Sequence, residues 1–159
     1  LALLGIQNIY RQTMVEAPLS KALQALPGVR AVTINRNSAG YNITLNLLAV
    51  KSLPAVHRQA IQITKERLGS TPFSLELTDN RTPDLEELYW RMQVYIEEAI
   101  MQGNFGAAAA KLHQLATSAG AQTQFYVDKD YLYLEIYQDT SYLYAVRGRI
   151  APHEEVTVL

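Results

Sequence analysis

The chain has 159 residues, 48% of them hydrophobic and 18% charged, with a formal net charge of −1 and no cysteine. That length suits one domain of ordinary size or two small lobes sharing a core. The missing cysteines exclude disulfides, thiol nucleophiles and cysteine-ligated zinc or iron–sulfur sites. Fourteen scattered basic residues at near-neutral net charge leave no electrostatic footprint for nucleic acid, so no nucleic-acid partner is expected.

In chain order, residues 1–15 come first. Leu1-Ala-Leu-Leu-Gly-Ile6 is apolar and runs into Tyr10-Arg11. Six residues cannot cross a bilayer, which takes about 20. The run reads either as the last turns of a transmembrane helix with Tyr10 and Arg11 at the interface, or as an amphipathic helix with Leu3, Ile6, Tyr10 and Met14 on one stripe. Residues 17–26 carry Leu19, Leu23 and Leu26 at helical spacing and stop at Pro27-Gly28. Strands are expected over 29–36 and 41–50, joined by the turn Asn37-Ser-Ala-Gly40. In the second strand Tyr41, Ile43, Leu45 and Leu47 face inward. Ser52 caps a helix over 53–68, with Val56, Ala60, Ile61 or Ile63, and Leu68 buried, and Gly69 ends it. A strand over 72–78 follows.

Thr82-Pro83-Asp84 opens a helix over 83–102 whose apolar stripe is Leu85, Leu88, Tyr89, Met92, Ile96, Ala99 and Ile100. A second, alanine-rich helix covers 105–119. Three aromatic and β-branched runs then fall within 122–147, separated by Asp128-Lys129-Asp130 and by residues 138–141, which predicts a three-stranded meander. Its middle strand sets Leu132, Leu134 and Ile136 on one face and Tyr131, Tyr133, Glu135 and Tyr137 on the other. Tyr126, Tyr142 and Tyr144 join the second face. Residues 151–159 read as a tail.

Constellations for chemistry are absent. His57, His113 and His153 fall on separate elements without metal-ligand spacing, and His57 and His113 read as surface or boundary positions, so no metal is expected. Glu97 and Glu98 are helix neighbours about 100° apart and form no acid–base pair. Asp79 and Asp84 flank a helix start, where capping is their usual role. No serine sits in a nucleophile elbow and no glycine-rich phosphate loop occurs. An enzyme is not expected, and neither is a cofactor.

The tyrosine face carries the functional content. A phenol ring pairs a large apolar surface with a hydrogen-bonding tip, which suits interfaces. Either the helices over 83–102 and 105–119 cover this face, or it meets a partner through Tyr126, Tyr131, Tyr133, Tyr137, Tyr142 and Tyr144.

Leu26-Pro-Gly-Val-Arg-Ala-Val32, followed by a hairpin and a helix, resembles the cytoplasmic C-terminal domain of cation diffusion facilitator transporters. Over about 18–77 the αββαβ order is also similar to the ring-building domains of secretion and sporulation machinery. Both resemblances imply a self-associating module outside the bilayer beside transmembrane helices. Where the transporter domains place metal ligands, this segment offers only His57.

These readings give an α+β fold, αββαβ over 16–80 followed by ααβββ over 81–150. About six strands lie in antiparallel sheet or sheets with helices on one face. The expected function is a non-enzymatic interaction or assembly module, membrane-tethered at its N-terminus and lying outside the bilayer, with a protein partner or a second copy as its target. The alternative is a small-ligand or sensing domain with a pocket between the lobes lined by Tyr89, Arg91 and Tyr95.

Overall fold

A computed structural model of the chain describes residues 2–149. Within it the chain divides after Thr78 into two compact units. The expected tail over 151–159 and His153 lie outside the described residues.

The first unit opens on helix α1 (Ala2–Arg11), which runs through a five-residue π segment, Gln12–Glu16, into α2 (Ala17–Gln24). The wide turn has a local cause. Pro18 has no N–H, and its ring would meet the carbonyl of Met14 four residues back; a π segment at that point relieves the clash. The Ala17 N–H accordingly donates to the Gln12 carbonyl, five residues away. Only α2 is anchored, through the buried Leu19 and Leu23.

Strands β1 (Val29–Asn37) and β2 (Gly40–Leu47) form the expected hairpin. Asn37 closes it, its Oδ1 accepting from the N–H groups of Ala39 at 2.8 Å and Gly40 at 3.0 Å. Helix α3 (Leu53–Leu68) has Ser52 as its N-cap and Gly69 at φ 60° as its stop. It carries the chain back to β3 (Phe73–Thr78), which pairs with β2 in parallel. Antiparallel pairing therefore holds for three of the four strand pairs, and the first sheet, order β1-β2-β3, is mixed. A helical crossover is what a parallel pair requires, whereas a hairpin turn cannot make one.

One face of this sheet is apolar, with Tyr41, Ile43, Leu45, Leu47, Phe73 and Leu75 buried. The other is polar and cross-linked along the parallel register. Ser74 Oγ donates to Asn42 Oδ1 at 2.8 Å, and Asn46 Nδ2 donates to Thr78 Oγ1 at 3.0 Å.

The second unit begins with a loop stitched to its own sheet. The Tyr142 N–H donates to the Asn80 carbonyl at 3.1 Å, and the Tyr144 N–H donates to Asp79 Oδ2 at 2.8 Å. These bonds place Asp79 and Asn80 with the second unit. Helices α4 (Pro83–Gln102) and α5 (Phe105–Ser118) turn through Gly103, which adopts the left-handed conformation. Strands β4 (Gln122–Val127), β5 (Tyr131–Gln138) and β6 (Ser141–Gly148) form the expected antiparallel meander. Leu85, Leu88, Met92 and Ile96 of α4 and Leu112 and Ala116 of α5 pack with Leu132, Leu134, Ile136, Leu143 and Ala145 of the sheet. The fold is thus α+β, with two three-stranded sheets.

Two glycines with positive φ separate backbone strain from steric exclusion. At Gly40 (φ +143°) an added Cβ would sit 2.1 Å from the Pro72 carbonyl oxygen, the acceptor of the Tyr41 N–H that ties β2 to the start of β3. At Gly69 (φ +60°) it would meet nothing within 4 Å. In urea unfolding, Gly40→Ala is expected to cost about 3 kcal/mol or more and Gly69→Ala about 1 kcal/mol. Equal losses would show that the Gly40–Pro72 approach is not a constraint.

Candidate functional site

The strand register puts all six candidate tyrosines on one face. Tyr126 opposes Tyr133, Tyr137 opposes Tyr142, and Glu135 opposes Tyr144. Residues directly opposite share a face in an antiparallel pair. The helices do not cover that face; they pack on the opposite, aliphatic side of the sheet. Nor is the face an open phenolic surface. Tyr133, Tyr142 and Tyr144 are buried, Tyr131 and Tyr137 are half-buried, and only Tyr126, at 42%, is exposed.

Inside this face the hydroxyls of Tyr133, Tyr137 and Tyr144 are engaged. Tyr133 donates to Asp128 Oδ2 at 3.0 Å, and Tyr137 donates to Oε1 of the fully buried Glu135 at 3.2 Å. The Tyr137 and Tyr144 hydroxyls lie 3.4 Å apart, with their rings edge-to-face at 77°. The Tyr142 and Tyr144 rings pack at 5.1 Å between centroids, tilted by 35°. Burial pushes the Tyr137 phenol far above its ordinary value, reinforced by the hydrogen bond to Tyr144 and the nearby Glu135 carboxylate. Tyr131 is raised by burial and by Asp130 and Asp128.

Asp79 is not a helix cap. Thr82 Oγ1 caps α4 by accepting from the Leu85 N–H, while the buried Asp79 carboxylate accepts from the Tyr144 N–H and from Arg81. It therefore closes the β6 edge, and its hydrogen bond holds the Arg81 guanidinium above its usual value. His57 corrects a second expectation. It is fully buried on α3, because it occupies a stripe position among Leu53, Ala60, Ile61 and Thr64. His113 is exposed on α5. Among the described residues no three His, Asp or Glu side chains are arranged to hold a metal ion.

The second unit also has an open cleft of about 240 Å³ lined by Tyr95, Glu98, Asn104, Ala107, Ala108 and Lys111. The Lys111 ammonium lies 5.5 Å from the Tyr95 ring centroid. Asn104 Oδ1 is buried and accepts no hydrogen bond from the protein. All its lining residues belong to the second unit, so it is not the expected pocket between the lobes; Tyr95 lines it, and Tyr89 and Arg91 do not.

Among the described residues, the large apolar side chains that are at least 60% exposed fall in two places. Helix α1 buries none of its residues, and Leu3, Leu4, Ile6, Ile9 and Tyr10, with Met14 beyond them, are 60–78% exposed. Among the described residues no helix is long and apolar enough to cross a membrane. On α4, Trp90, Val94 and Met101 are 65%, 62% and 84% exposed. These three lie outside the apolar core stripe that predicts α4. The signal was their own helical spacing, i, i+4 and i+11, around the chain's single tryptophan.

A comparison with known protein families, curated proteins and solved structures finds no match.

Raised tyrosine pKa values make a directional prediction. A group whose folded-state pKa is raised lends stability that is complete below its unfolded value, here 10.0, and is lost as pH climbs above it. The unfolding free energy is expected to fall from pH about 10 upward, and to fall less steeply in Tyr137→Phe. Urea titrations between pH about 8 and 11 check this. Identical slopes for the two proteins would place Tyr137 in water.

Proposed function

We propose that this chain is a non-enzymatic interaction or assembly module whose N-terminal helix, α1, is its tethering or associating element. The observation that carries the reading is α1 itself. Six large apolar side chains project from residues 3–14 with no core beneath them. Each would gain about 1.5–3 kcal/mol on burial, so their combined exposure is costly in water and favours a second surface. From Ala2 to Tyr10 the helix has no charge, and Tyr10-Arg11 follow as a pair suited to a membrane–water boundary. The αββαβ order of α2, β1, β2, α3 and β3 supports the same reading through its resemblance to ring-building and transporter C-terminal modules. In this reading the buried tyrosines stabilise the fold, and Tyr126 is the accessible remnant of the phenolic face.

The alternative, a small-ligand site, has one observation in its favour. The cleft beside Tyr95 and Lys111 includes Asn104, whose buried Oδ1 has no donor from the protein.

Light scattering over a concentration series, with vesicle flotation alongside, tests the leading reading. The chain is expected to self-associate or to float with vesicles. Leu3→Gln/Ile6→Gln/Tyr10→Ser is expected to lower either affinity about tenfold or more with helix content and melting unchanged. A strict monomer that also fails to bind vesicles would overturn it.

A further inference from the structure

Helix α4 is apolar on two opposite sides. Its inner stripe, Leu85, Leu88, Met92, Ile96 and Ala99, is buried in the core of the second unit. At about 100° per residue, Trp90, Val94 and Met101 fall within a narrow band about 180° from that stripe. Glutamates border the band on both sides, Glu86 and Glu97 along one edge and Glu87 and Glu98 along the other. The helix holds five acidic residues and one basic residue, Arg91. Glu97 is engaged by Arg147 of β6, and Glu86 lies close enough to Arg81 to help raise its pKa; no ion pair of the described residues involves Glu86, Glu87 or Glu98.

We propose that the outward face of α4 is a docking surface for a basic amphipathic helix of a partner protein, with Trp90 as its apolar anchor. Charge selects this occupant. A second copy laid along the same stripe would bring glutamates against glutamates, and an anionic lipid surface would meet the same repulsion. A helix with an apolar stripe flanked by lysine or arginine answers both the band and its borders. Trp is also the residue type most concentrated at the energetic centres of interfaces. The proposal rests on the interaction-module reading but on a different surface from α1, so either can fail alone.

Trp90 is the only tryptophan in the chain, so its emission reports on this face directly. The test is a titration of the full chain with a synthetic leucine–lysine amphipathic helix of about 15 residues, matched to a leucine–glutamate peptide of the same apolar spacing. The lysine peptide is expected to shift Trp90 emission to shorter wavelength. Raising salt from about 0.05 to 0.3 M should weaken its binding, and the glutamate peptide should produce no shift. Glu86→Lys/Glu87→Lys/Glu98→Lys should lower the affinity about tenfold or more. Glu98→Lys alone, which spares the first turn of the helix, should lower it in the same direction. Four results would overturn the proposal: no shift with the lysine peptide, equal shifts with both peptides, a shift on raising protein concentration alone, or a shift with anionic vesicles.

Discussion

Strand β5 has to satisfy two different solvents at once, and much of the second unit follows from that requirement. Leu132, Leu134 and Ile136 need an apolar partner, which α4 and α5 supply. Tyr133 and Glu135 on the other face are fully buried as well, and burying a hydroxyl or a carboxylate is costly unless it is hydrogen-bonded. The surrounding sequence provides a bond to the Tyr133 hydroxyl and one to Glu135 Oε1. Asp128 serves Tyr133 and the turn before β5 together, its Oδ1 accepting from the N–H groups of Asp130 and Tyr131 while Oδ2 takes the Tyr133 hydroxyl. Tyr137 reaches back to Glu135 and across to Tyr144. A strand with one apolar and one phenolic face can thus be interior on both sides.

The same requirement explains why the edge beside β6 is closed by a loop. Tyr144 is buried, and its N–H would be unsatisfied at an open edge. Asp79 accepts it, and Arg81 balances the Asp79 charge at 2.8 Å. Removing the carboxylate would leave the buried Tyr144 N–H without its acceptor, a loss of about 1–3 kcal/mol. Among the described residues, the large apolar side chains that are at least 60% exposed lie on α1, at Met14 just beyond it, and on the outer side of α4.

Much of the secondary structure was legible because its signals are local. Ser52 with Gly69 and Thr82 with Gly103 bracket α3 and α4, and the helices run over 53–68 and 83–102 as their caps imply. The meander was legible from its turns. Strand direction was not: Tyr41, Ile43, Leu45 and Leu47 alternate identically whether the neighbour runs parallel or antiparallel, and only the return path through α3 decides. His57 was misplaced because a lone imidazole reads as polar, although its spacing from Leu53 and Ile61 puts it on the buried stripe. The tyrosines share one face as their alternation implies, yet alternation carries no information on whether a face of phenols is wet or dry.

Tyrosine nitration of the folded chain followed by peptide mass spectrometry measures the burial of the phenolic face. Tyr126 is expected to be modified rapidly, with Tyr133 and Tyr144 modified only after unfolding. Modification of Tyr133 and Tyr144 at the rate of Tyr126 in the native protein would contradict that burial and show the phenolic face to be open to solvent.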